Sequence, residues 1–134
     1  MATRQGGYAV KYKVYKVALC KNDVFVSAIA RGEMLVEYRL GEPSFPKTGT
    51  RLLAFTLLRD AREFRDRGHR TRPVILRGTS ASRPKACPYV GGLGANVARL
   101  WVCALAWWQH GIGYSREAPA GTVSLADFTP EAIA

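Results

Sequence analysis

From Ala9 to Val17 the chain reads Ala-Val-Lys-Tyr-Lys-Val-Tyr-Lys-Val. Branched and aromatic side chains interleaved with lysine suit a pleated, half-buried strand. Alternation puts Val10, Tyr12 and Val14 on one face, and Lys11, Lys13 and Tyr15 on the other. Lys21-Asn22-Asp23 then reads as a polar turn, and Val24 to Ala30 as a compact apolar strand. Arg31-Gly32-Glu33 turns the chain again before a third strand, Met34 to Leu40. Residues 8–40 are therefore expected to form a three-stranded meander. Residues 41–50, with Pro43, Pro46 and Gly49, read as a loop.

Leu52 to Phe55 has the length and composition of a short buried strand feeding a helix. Thr56 is placed to cap that helix, and Leu57, Ala61 and Phe64 recur at the i, i+4, i+7 spacing of one apolar stripe. Gly68 suits the left-handed stop after the last turn. Arg59–Glu63, Arg62–Asp66 and Glu63–Arg67 are i, i+4 pairs of opposite charge. Pro73 to Arg77 reads as a further strand, Gly78 to Lys85 as a loop, and Pro88 to Asn96 as a glycine-rich connection. Val97 to Gln109 suits either a buried helix or a strand, the twelve-residue apolar stretch from Val97 to Trp108 favouring the helix. Ala120 to Phe128 reads as a last strand, ended by Pro130.

At 134 residues the chain fits a single domain, 1–134. The fold class these elements imply is α+β: a small antiparallel sheet, built on the N-terminal three-stranded meander, with one or two packed helices.

Charge narrows the choice of partner. The formal net charge is +10. Residues 1–22 carry five basic and no acidic residues, and residues 47–85 carry eleven basic and three acidic, so these two segments hold all of the excess. Folded side by side they would form one positive surface, which attracts a polyanion by releasing its counterions. The expected contributors are Lys11, Lys13, Lys16, Arg59, Arg62, Arg70, Arg72, Arg83 and Lys85. Tyr12 and Tyr15 among the lysines are expected to add base stacking, and Trp107 to anchor an interface.

Catalytic and metal chemistry find little support. There is no CxxC or HExxH spacing, and His69 and His110 lie far apart in the chain, so no metal site is expected. Cys103 and His110 are two helical turns apart, too far for a nucleophile–base contact. Gly91-Gly92-Leu93-Gly94-Ala95-Asn96 approaches a phosphate-cradling loop, but Val97 stands at the third glycine position and no Gly-Lys-Ser/Thr follows. The acidic residues fall mostly in turns or helical ion pairs, with no spacing that recommends a carboxylate pair. No cofactor is expected. Cys20, Cys87 and Cys103 are odd in number and dispersed, which suits free thiols in a reducing compartment. The N-terminus carries no apolar core of a secretory signal, and no stretch reaches the length of a membrane span. A cytoplasmic, non-membrane protein is expected.

Two segments carry a resemblance. Gly49 to Thr56, with Ala61 and Phe64 after it, and Pro119-Ala120-Gly121-Thr122-Val123, with Thr129-Pro130, resemble a pattern in small uncharacterised bacterial and phage-type proteins. The same strand–Thr–helix unit is similar to one in mono-ADP-ribosyltransferase-like domains. That likeness implies an NAD-binding core in which Arg39 and Thr56 take the early positions and Glu117 the late acidic one.

The function expected from the residues is non-catalytic binding, through the basic face, of nucleic acid or an acidic partner protein. The phage-type resemblance implies an accessory role in a phage or mobile element. The alternatives are an active or degenerate NAD-binding transferase-like domain and a structural subunit of a homo-oligomer.

Overall fold

A computed structural model describes residues 11–22, 24–28, 35–47, 50–67, 73–91 and 115–134. Its elements are β1 (Tyr12–Lys21), β2 (Val24–Ser27), β3 (Glu37–Tyr38), β4 (Leu52–Phe55), α1 (Leu58–Arg65), β5 (Val74–Ser80), β6 (Lys85–Ala86), β7 (Tyr89–Gly91), β8 (Ser115–Glu117), β9 (Thr122–Leu125) and β10 (Thr129–Ile133). Eight of the strands form one antiparallel sheet in the order β10-β5-β1-β4-β9-β6, with β2 paired to β1 and β3 paired to β2. Strands β7 and β8 make a separate two-stranded ribbon.

This corrects the α+β expectation. The fold is mostly β, and α1 is the one helix among the described residues. The cause is local. Gly78 to Lys85 read as a loop, Pro88 to Asn96 as a connection and Pro130 as the end of the last strand, yet the chain pairs as strands at Val74–Ser80, Lys85–Ala86, Tyr89–Gly91 and Thr129–Ile133. Pro130 does not end the last strand but lies inside β10, opposite Gly78, where the ladder shifts between Pro130 and Ala132. Proline is tolerated at such an irregularity because no ladder donor is required of it.

The meander is present as β1-β2-β3. Its first turn needs two residues, and Asn22 takes a left-handed φ of 53°, which asparagine tolerates better than most side chains. The third strand is shorter than expected, reduced to Glu37–Tyr38. Beyond it the chain bends onto β10. Gly41 N–H donates to Pro130 O at 2.7 Å, and Ser44 exchanges two backbone hydrogen bonds with Phe128 at 2.7 and 2.9 Å. The segment from Glu37 to Ser44 thus bonds to β2 at one end and to β10 at the other, curling the sheet around its inner face.

Two cores result. Val14, Ala18, Tyr38, Leu52, Ala54, Leu76, Leu125 and Phe128 fill the inner one, where Tyr38 meets Phe128 edge to face at 5.9 Å. Val17, Phe55, Ala61 and Ile75 form the outer one, beneath α1. Burial of each large apolar side chain contributes about 1.5–3 kcal/mol, so these cores, not the single-turn contacts, hold the sheet.

The helix departs from its expected details. Thr56 is exposed and Leu57 occupies the cap position with no side-chain cap bond. Leu57 is exposed, and Leu58 packs in its place beside Ala61 and Phe64. Glu63–Arg67 is the i, i+4 pair that forms, at 3.4 Å, while Arg59 reaches Asp60 and Arg65 reaches Asp66. Gly68 and Val97 to Gln109 lie outside the described residues.

Candidate basic binding face

Strand β1 is flanked by β5 on one side and by β4 and β2 on the other. The two basic segments of the sequence therefore meet in one sheet. Seven consecutive pairs lock β1 to β5, including Lys13 with Thr79, Tyr15 with Arg77, and Val17 with Ile75. Side chains paired directly across a ladder share a face. Lys13, Tyr15, Thr79 and Arg77 accordingly lie on the same face as Val17 and Ile75, the face that α1 covers at its far end. Strand alternation adds Lys11. Strand β10 contributes Thr129 opposite Thr79 and Ala132 opposite Arg77.

Lys11, Lys13 and Arg77 are exposed, and Tyr15 is half-buried against the outer core. Among the described residues these three cations make no ion pair. The acidic residue nearest in register is Glu131, exposed in the β10 irregularity and likewise without an ion pair. Arg59 and Arg62 are exposed on α1.

The other expected cations are distributed differently. Lys85 lies on β6, paired with Ser124, and Arg51 donates to that serine from Nε at 2.8 Å and to its carbonyl at 3.1 Å. Strands β4 and β9 separate β6 from β1, which places Lys85 about 14 Å across the sheet, while Arg51 precedes β4, the strand next to β1. Arg83 is exposed in the loop between β5 and β6. Arg70, Arg72 and Trp107 lie outside the described residues.

Lys16 has another role. It shares the inward parity of Val14 and Ala18, and its ammonium donates to Leu53 O and lies 5.8 Å from the centroid of the Tyr38 ring. Burial pulls its pKa down to about 8. Tyr12 also has inward parity and is half-buried opposite Ser80, which leaves Tyr15 as the aromatic on the basic face. Sequence reasoning missed Arg77 and Arg51. The alternation of Ile75, Arg77 and Thr79 along β5 would have found the first; nothing local marks the second, whose partner is 73 positions away.

Three other clusters were candidates for chemistry. Ser80 and Ser82 both donate hydroxyl bonds to Asp127 Oδ1, at 2.8 and 2.9 Å, while the Ser82 and Ala81 N–H groups donate to its two oxygens. Burial acts to raise the Asp127 pKa, but these hydrogen bonds outweigh it and hold the carboxyl below its ordinary range. A carboxylate so stabilised is a weak base for activating serine, so the cluster is a clamp on the β5–β6 loop. An open cavity of about 350 Å³ is lined by Val24, Phe25, Tyr38, Arg39, Leu40 and Glu42, whose charges are of both signs. The residues of the transferase resemblance do not converge through any hydrogen bond among the described residues: Arg39 pairs with Glu37, Thr56 is exposed at the β4–α1 corner, and Glu117 is on β8.

Cys20 and Cys87 are free thiols, the second buried. Burial pushes the Cys87 thiol up, with the charge of Arg51 opposing. Among the described residues no group of three or more His, Cys, Asp or Glu side chains is placed to hold a metal, and no helix is long and apolar enough to cross a membrane. Comparison with protein-family models, curated proteins and solved structures finds no match.

Proposed function

We propose that this chain is a non-catalytic binding protein whose β1–β5 face engages a polyanion. The observation that carries the reading is the ladder itself. Pairing Lys13 with Thr79 and Tyr15 with Arg77 sets Lys13 and Arg77 on one sheet face, strand alternation adds Lys11, and no ion pair among the described residues neutralises them. Unpaired cations keep their full attraction for a partner and release its counterions on contact. Nucleic acid and an acidic protein surface present the same sign of charge to this face. The phage-type resemblance adds an accessory role in such a setting.

Retention on immobilised heparin tests the face. The wild-type protein is expected to be retained at low salt, and the double variant Lys13→Glu/Arg77→Glu to elute much earlier. Arg39→Glu/Lys47→Glu changes the net charge equally, at exposed residues outside the β1–β5 ladder, and is expected to elute nearer the wild type. Equal losses in the two variants would mean that binding follows net charge and that the face is no site.

A further inference from the structure

We infer that the ligand of this face is a single-stranded nucleic acid, its backbone lying across Lys13 and Arg77 and one base stacking on Tyr15. The inference rests on the polyanion reading above and adds the class of ligand. Tyr15 is the aromatic side chain that β1, β5 and β10 place on the outer face among the described residues. It stands directly opposite Arg77 and two positions from Lys13, about 6.8 Å along the strand. Its half-buried ring packs against the core of Val17, Phe55, Ala61 and Ile75, which holds it in place before any ligand arrives. On its β4 side it is paired with the buried Phe55, and toward β10 the residues Thr79, Thr129 and Ala132 are small, so the surface on that side is low.

Each class of polyanion would use this arrangement differently. A duplex hides the faces of its bases and is read at groove edges by a protruding helix or ribbon. Here α1 is eight residues long and seated on the outer core. Carboxylates on an acidic protein would pair with the cations but gain nothing by stacking on a ring. A single strand exposes base faces between phosphates, and a cationic groove with an aromatic platform recognises both without regard to sequence. Tyr15 between Lys13 and Arg77 supplies that pairing.

Fluorescence anisotropy with labelled oligothymidylate, a duplex of equal length and a polyglutamate peptide tests the assignment. Oligothymidylate of about twenty nucleotides is expected to bind at least about tenfold more tightly than the duplex. Tyr15→Leu keeps apolar bulk over the core and removes the ring. It is expected to weaken oligothymidylate about tenfold or more while leaving heparin retention unchanged. Tyr15→Phe, which keeps the π-face, is expected to bind as wild type. Duplex binding as tight as the single strand, or an unchanged Tyr15→Leu affinity, would overturn the stacking assignment and leave the polyanion face standing. Tighter binding of polyglutamate would assign the face to an acidic protein. Loss of heparin retention together with all three probes would overturn both readings.

Discussion

The ammonium of Lys16 sits 5.8 Å from the centroid of the Tyr38 ring, inside the curled sheet. A cation within about 6 Å of a ring is attracted by its π-electrons. That attraction and the bond to Leu53 O offset part of the cost of removing the charge from water. They do not offset all of it, because burial brings the Lys16 pKa to about 8, below its ordinary 10.5. The Tyr38 hydroxyl is enclosed as well, with the Ser27 hydroxyl near it but no partner at hydrogen-bond geometry among the described residues. Burial raises its pKa well above the usual 10.0, with the Ser27 hydroxyl opposing.

Stability should therefore rise with pH in an unusual window. Between about pH 8 and 10 the unfolded chain holds a proton on Lys16 that the folded chain has released, so the folded state gains as pH climbs. Above the ordinary tyrosine value the sign reverses, because folded Tyr38 keeps a proton that the unfolded chain loses. Urea midpoints measured from about pH 7.5 to 9.5 are expected to increase for the wild type relative to Lys16→Met, in which the raised thiol of Cys87 turns the profile downward near pH 9. A wild-type profile parallel to that of Lys16→Met would place the ammonium in water.

Asp127 works in the opposite pH range. Its folded pKa lies below the ordinary 3.8, so its contribution is present above that value and is lost as pH falls through the lower folded one. Asp127→Ala removes four hydrogen bonds from the β5–β6 loop and strands their donors. The expected cost at neutral pH is about 2–3 kcal/mol, with a flatter acid limb in the unfolding profile. A neutral-pH loss under about 0.5 kcal/mol would show that water replaces the carboxylate without penalty.

Gly78 tests how closely β10 closes on β5. A Cβ at this position would collide with Thr129 O and come within 2.8 and 2.9 Å of the Phe128 ring. The carbonyl belongs to the ladder and cannot swing away. Gly78→Ala is expected to destabilise the fold by about 1–3 kcal/mol, read as a lowered urea midpoint with unchanged slope. Gly41→Ala serves as the comparison. Its Cβ would meet nothing within 4 Å, so only the left-handed φ of 83° opposes it, at about 1–2 kcal/mol.

How much of this was legible depends on the distance over which each signal acts. The β1 alternation named the faces of Tyr12, Val14, Lys13 and Tyr15 correctly, because a two-residue period is a local property. The turn at Pro119 to Thr122 was missed: Ala120 and Gly121 read as the start of the last strand, whereas Gly121 takes φ of 83° and Thr122 N–H bonds to Pro119 O. The inward fate of Lys16 was implied by the same period but masked by the type of residue, since lysine is rarely enclosed. Strands β6 and β10 were illegible for another reason. Each is held by a partner far away in sequence, Ser124 for Lys85 and Gly78 for Pro130, and β pairing of that kind leaves little trace in local propensity. The expected cap at Thr56 failed because Phe55 and Leu58, both drawn to the outer core, set the entry to α1.

The central claim is that Lys13 and Arg77 act together as phosphate contacts on one sheet face. The measurement that bears on it most directly is the salt dependence of oligothymidylate affinity for the wild type and for Lys13→Gln/Arg77→Gln. If both cations contact phosphate, the plot of log affinity against log salt loses about 0.7 of slope for each, so about 1.4 in the double variant. An unchanged slope in a folded double variant would contradict the account and move the binding surface elsewhere on the molecule.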